Sequence, residues 1–154
     1  MLLPFFRWAD HTWVAVFIRD STWIFAFLEV LHLFGLTLFL GTLTVVALRM
    51  CGAGLKGQSL RDVASDAFPF TIAGLAVSVA SGLLLFVSEA LKCYGSEPFF
   101  IKMGLLFTGL LFFFTFQQRL TKAEQPSGAA KYAAILALVM WFGVGLAGRA
   151  IAFF

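Results

Sequence analysis

The stretch that decides the fold runs from Thr22 to Leu48 and reads TWIFAFLEVLHLFGLTLFLGTLTVVAL. Its only ionisable side chains are Glu29 and His32, and the rest is apolar or small. A hydrocarbon core about 30 Å thick is crossed by about 20 helical residues, each rising about 1.5 Å. This run is therefore a transmembrane helix. Asp20 and Ser21 stand before it as N-cap candidates, and Arg49 closes it.

Three further runs of the same kind follow. One covers 68–91, with Asp66 just ahead and Pro69 expected in the first turn, where a missing N–H costs nothing. Another covers 98–117 behind the start signal Ser96, Glu97 and Pro98. The last covers 130–154, after the polar turn at 124–128. None alternates with the period of two that marks a barrel strand. The expected fold is all-α: a four-transmembrane-helix bundle forming a single membrane domain over 1–154, with no internal repeat.

Composition agrees. Of 154 residues, 61% are apolar, 17% aromatic and only 12% charged, against about 25% charged in a soluble domain. Mean hydropathy is +0.95. A soluble enzyme is excluded, because too little charge remains to cover a water-facing surface. Nucleic-acid binding is excluded as well, since the net charge of +3 includes no run of Lys or Arg.

Residues 1–19 differ from the spans. Phe5, Phe6, Trp8, Trp13 and Phe17 alternate with Arg7, Asp10, His11 and Arg19. Such mixing suits an N-terminal interfacial amphipathic helix lying along the headgroups. Arg7 and Asp10 interrupt any signal-peptide core, and no small-residue cleavage site follows.

Lys and Arg in the loops set the expected orientation. Arg49, Lys56, Arg61, Arg119, Lys122 and Lys131 fall on one side, and Arg7, Arg19 and Lys92 on the other. Both termini are then periplasmic in a bacterial inner (cytoplasmic) membrane. Cys51 and Cys93 lie about a membrane thickness apart and cannot bridge each other.

Ionisable residues within spans are costly and usually face the bundle interior. They are Glu29 and His32 in the first span, Glu89 in the second, Lys102 in the third and Arg149 in the fourth. From the helical rise, Glu29 lies about 11 Å and His32 about 15 Å from the outer start of its helix. The other three lie within a few turns of the same end. All five thus share one half of the bundle, and inverting the topology would move them together.

Their faces agree too. Glu29 and His32 are three apart on one stripe. Gly74, Ser78, Ser81, Gly82, Leu85, Ser88 and Glu89 form a small, mostly polar stripe on the second helix. Trp141, Gly145, Gly148 and Arg149 share a side of the fourth. Two acids, two bases and an imidazole balance as buried groups require.

Two readings come first. In one, the charges are a structural ion network within an accessory subunit of a larger membrane complex or a homo-oligomer. In the other they frame a cofactor pocket for haem b or quinone, beside a partner electron carrier. Glu29 would then orient His32, a possible haem iron ligand, or exchange protons with it. Lys102 and Arg149 would meet propionates or a reduced quinone anion, and Glu89 and Trp141 would complete the lining. No enzymatic constellation is visible. A proton pathway or small permease is a third reading, although the inner half offers only Thr42, Thr44, Ser78 and Thr115 as polar groups.

The chain resembles an uncharacterised bacterial family of small four-helix membrane proteins. The matching stretches are LEVLHLFGLTLFLGT (Leu28–Thr42), SGLLLF (Ser81–Phe86), FFIKMGLL (Phe99–Leu106) and WFGVGLAGRAIAF (Trp141–Phe153). That resemblance implies the four-helix fold and the same set of residues, with no activity attached. The His32–Gly35 pattern, H-x-x-G at the start of a membrane helix, is also similar to haem- and copper-handling membrane families. A second His in a later helix, found in some of these, has no counterpart at Phe116–Arg119.

Overall fold

A computed structural model describes residues 2–151; Met1 and the end expected for the fourth span, 152–154, lie outside the described residues. Four helices are long and apolar enough to cross a membrane. In chain order the elements are α1 (Leu3–Asp10), α2 (Trp13–Asp20), α3 (Thr22–Met50), α4 (Leu60–Ser88), α5 (Ala90–Tyr94) and α6 (Glu97–Phe112). A π turn over Phe113–Gln117 and a last turn, α7 (Gln118–Leu120), extend α6 into one span, and α8 (Gly128–Ala150) is the fourth. The structure is a four-helix membrane bundle with a two-helix amphipathic foot, and no strand occurs among the described residues.

Local chemistry sets most helix ends. The hydroxyls of Thr12, Ser21, Ser59 and Ser127 each accept a hydrogen bond from a backbone N–H in the first turn of α2, α3, α4 and α8. The foot becomes two helices because Thr12 starts a new one. Likewise α4 begins at Leu60, not Phe68, because Ser59 caps it, and its first turns, RDVASDA, are mostly polar or small. Pro69 consequently sits inside the helix rather than in its first turn.

Helices α3 and α4 form the closest pair, and their backbones touch. A Cβ built at Gly74 would stand 2.6 Å from the Phe39 backbone nitrogen, and one at Gly35 would stand 2.8 Å from the nitrogen of Ser78. Only glycine permits that approach. Helix α8 packs on both α3 and α6. Phe39, Leu43, Leu75, Phe113 and Trp141 fill the centre, with the Phe39 and Trp141 rings edge to face at 4.6 Å.

The foot is pinned to one end of the bundle, the foot end. Phe6 meets Phe86 edge-on at 5.5 Å, and Phe86 stacks on Phe99 at 5.5 Å. Arg19 donates to the Asp10 carboxylate at 3.1 Å and to the Ser88 carbonyl at 3.1 Å. It thereby satisfies a carbonyl that α4 leaves open where it ends. At the far end, Arg49 is buried and donates to the Gln58 carbonyl at 2.9 Å, while Arg61 donates to that of Lys122 at 3.0 Å. Two of the cations counted in loops therefore tie those loops together.

The glycine contact yields a sharp expectation. Gly74→Ala should destabilise the folded protein in detergent by about 2–3 kcal/mol, because backbone must move. Gly104→Ala, whose added Cβ would meet nothing within 4 Å, should be neutral or stabilising by up to about 1 kcal/mol. Equal thermal-melting shifts for the two variants would refute the close crossing.

Candidate functional site

The polar cluster at the foot end centres on His32. Its Nδ1 lies 2.9 Å from the Ser78 carbonyl oxygen and 3.2 Å from Ser81 Oγ. A carbonyl can only accept, so Nδ1 carries the proton and donates it. The Ser81 hydroxyl gives its own hydrogen to the Val77 carbonyl at 2.6 Å, which leaves its lone pairs to receive from the ring. The ring lies over Gly82, where a Cβ would come within 2.9 Å of Cε1. The backbone of α4 thus fixes the tautomer and plane of the imidazole. In the neutral ring Nε2 then keeps its lone pair; it has no hydrogen-bond partner among the described residues and belongs to a half-buried side chain.

Lys102 comes from α6. Its side chain is half-buried and lies along α8, with Nζ 3.4 Å from where a Gly148 Cβ would stand. Gly148 lies three residues before Ile151, which packs on the cluster of Phe6, Ala90 and Cys93, so Lys102 stands at the foot end. Arg149 is the next residue along α8, exposed and engaged in an interaction of its own.

Three sequence-based expectations need amendment. Glu29 does not orient His32: Ser78 and Ser81 do, while Glu29 is exposed and has no hydrogen-bond or ion-pair partner among the described residues. The two side chains diverge because three residues turn a helix by about 300° and leave them about 60° apart. Glu89 is not within a span; it sits at the break between α4 and α5 with φ −130° and pairs with Lys92 at 3.3 Å, partly exposed. Trp141 is buried at 3% in the central core, against Phe39 and over Gly109, and acts as packing between helices. Its indole Nε1 is nonetheless buried without a partner.

Among the described residues no three His, Cys, Asp or Glu side chains converge to hold a bare metal ion. Cys51 and Cys93 are both free thiols. The stripe of Ser78, Ser81 and Gly82 was legible in sequence, but its role as the seat for His32 was not. Gln117 and Thr71, buried at the far end, and the clasp of Arg19 on Ser88 carried no local signal.

A family model matches residues 5–154, almost the whole chain. The chain belongs to the family of unknown function DUF6644. This accords with the resemblance seen in the spans. No curated protein and no solved structure matches the chain. What a DUF6644 bundle offers chemically therefore rests on the His32 seat and the cation beside it.

Cys93, between the spans on α5, gives a check on the surroundings. Burial, reinforced by the Glu89 carboxylate, disfavours the thiolate and pushes the thiol up to about 11. Thiolate is the reactive form, and at neutral pH it is scarce here. Maleimide at pH 7.5 should label half-buried Cys51 readily and Cys93 only in unfolded protein or as pH approaches 11. Fast labelling of Cys93 in the folded state would show that this end is open.

Proposed function

We propose that the protein is a non-enzymatic membrane subunit in which His32 Nε2 holds a redox cofactor at the foot end, with haem b as the best match. One observation carries this reading: the imidazole is clamped through Nδ1–H to a backbone carbonyl, leaving Nε2 without a protein partner. Imidazoles that ligate metals are held in this way, since a carbonyl partner fixes the tautomer and raises the basicity of the ligating nitrogen. Haem iron is a Lewis acid that one imidazole can hold from one side. No cluster of three ligands is needed for it.

The tautomer also separates the two cofactors considered from sequence. A quinone carbonyl needs a donor, and the N–H of His32 is already committed to Ser78. A quinol hydroxyl could donate to Nε2, so a quinol is the second reading. For either ligand, Lys102 supplies positive charge for propionates or for a negatively charged ring oxygen. Arg149, one residue from the glycine that Lys102 crosses, extends that positive edge. Haem supplies one-electron chemistry when bound; the chain holds the iron, neutralises the propionates and sets solvent access.

A small cofactor subunit exchanges electrons with a partner carrier, so a larger membrane complex or a homo-oligomer belongs to this reading. The excess of Lys and Arg at the far end supports a site on the outer side of a bacterial inner membrane, with both termini periplasmic. A proton pathway is less well supported, because the backbone contact of Gly35 with Gly74 fills the interval between Thr71 and Ser78.

Protein purified in mild detergent from haem-sufficient cells should show a Soret band that sharpens and shifts on reduction. His32→Ala should abolish the band, and added imidazole should restore it. Lys102→Gln should keep the band and weaken haem retention about 10-fold or more. Absence of both a Soret band and co-extracted quinol from folded protein would overturn the proposal.

A further inference from the structure

The far end of the bundle contains a second polar feature, unrelated to the His32 seat. The third span changes from α to π geometry over Phe113–Gln117, and such bulges often mark sites where a side chain or small ligand has been accommodated. Gln117 closes this turn and is 1% exposed, and its Oε1 is buried with no hydrogen-bond partner. It lines a cavity of about 10 Å³, whose wall also includes Leu43, Phe68, Thr71, Phe113 and Thr121. That volume is about what one water molecule requires.

The polar groups in the wall define what fits. Gln117 Oε1 is an acceptor. The Thr71 hydroxyl lies 2.9 Å from Thr42 Oγ1 and 2.9 Å from the Ala67 carbonyl, which occupies its single hydrogen and leaves lone-pair capacity. The Thr121 hydroxyl gives its hydrogen to the Gln118 carbonyl at 3.1 Å and is an acceptor in the same way. Gln117 Oε1 and the two threonine hydroxyls thus present acceptors to a ligand that brings hydrogens, while the amide NH2 groups of Gln117 and Gln118 in the same wall can donate, a mixture that suits water. No carboxylate lines it, so a cation there would have no counter-charge in an apolar wall.

We infer that a single ordered water is bound in this cavity, donating to Gln117 Oε1 and to a threonine hydroxyl, foremost Thr71. The water joins the π turn of the third span to α4. Through the Thr71–Thr42 hydrogen bond it reaches α3 as well, making a polar clamp across three helices. This inference is independent of the cofactor proposal and survives its failure.

The test is a structure of the full chain at a resolution that shows waters. Wild-type protein should have one density peak within hydrogen-bond distance of both Gln117 Oε1 and a threonine hydroxyl, and Q117L should lack it. A wild-type cavity without density, or a Gln117 amide bonded directly to a protein group, would overturn the inference. If Q117L does not fold, T71V serves in its place, since it keeps Gln117 and removes one partner. Loss or clear weakening of the peak in T71V supports the bridge, and an unchanged peak contradicts it.

Discussion

At the crossing of α3 and α4, the Gly35 and Gly74 backbones meet with no side chain between them. This contact sets the register of the two helices. One turn beyond it toward the foot, Ser78 faces α3. One further turn brings Ser81 and Gly82 beneath His32. Were the helices held apart by even a methyl group, the imidazole would miss the Ser78 carbonyl. The seat of His32 therefore rests on a packing contact only about one turn away from it.

The remaining parts hold that pair in place. Helix α8 lies against α3 through the central aromatic core and brings Gly148 to Lys102 of α6. The foot does more than float at the headgroups. Its Phe6 enters the cluster with Phe86 and Phe99, and its Arg19 satisfies the Ser88 carbonyl at the point where α4 stops. That break leaves Glu89 at the surface with Lys92. The foot end is thus a covered, cation-bearing end with one oriented imidazole. The far end is closed by backbone-directed arginines and the Thr42–Thr71 pair.

Much of this is legible in the sequence. Span number, the amphipathic foot and the gathering of His32 and Lys102 at one end follow from hydropathy and helical rise alone. Depth along a helix is a one-dimensional property, and sequence supplies it directly. Orientation about the axis is harder: the stripe with Glu29 and His32 was visible, yet 60° of rotation separated a seated imidazole from an exposed carboxylate. The end of α4 was out of reach, because it depends on an arginine 69 positions away in sequence. The early start of α4 was missed for a different reason. Apolarity marks where a helix meets lipid, whereas the cap at Ser59 marks where the helix begins.

The account stands most directly on the protonation of one ring. Nitrogen-15 NMR of histidine-labelled protein in bilayers, with His11 removed by substitution, reads the two nitrogens of His32 separately. The structure predicts a neutral imidazole protonated at Nδ1, with an unprotonated Nε2 whose resonance responds to added haem. An Nε2–H tautomer, or an Nδ1 without its proton, would contradict the Ser78 clamp and the site built on it.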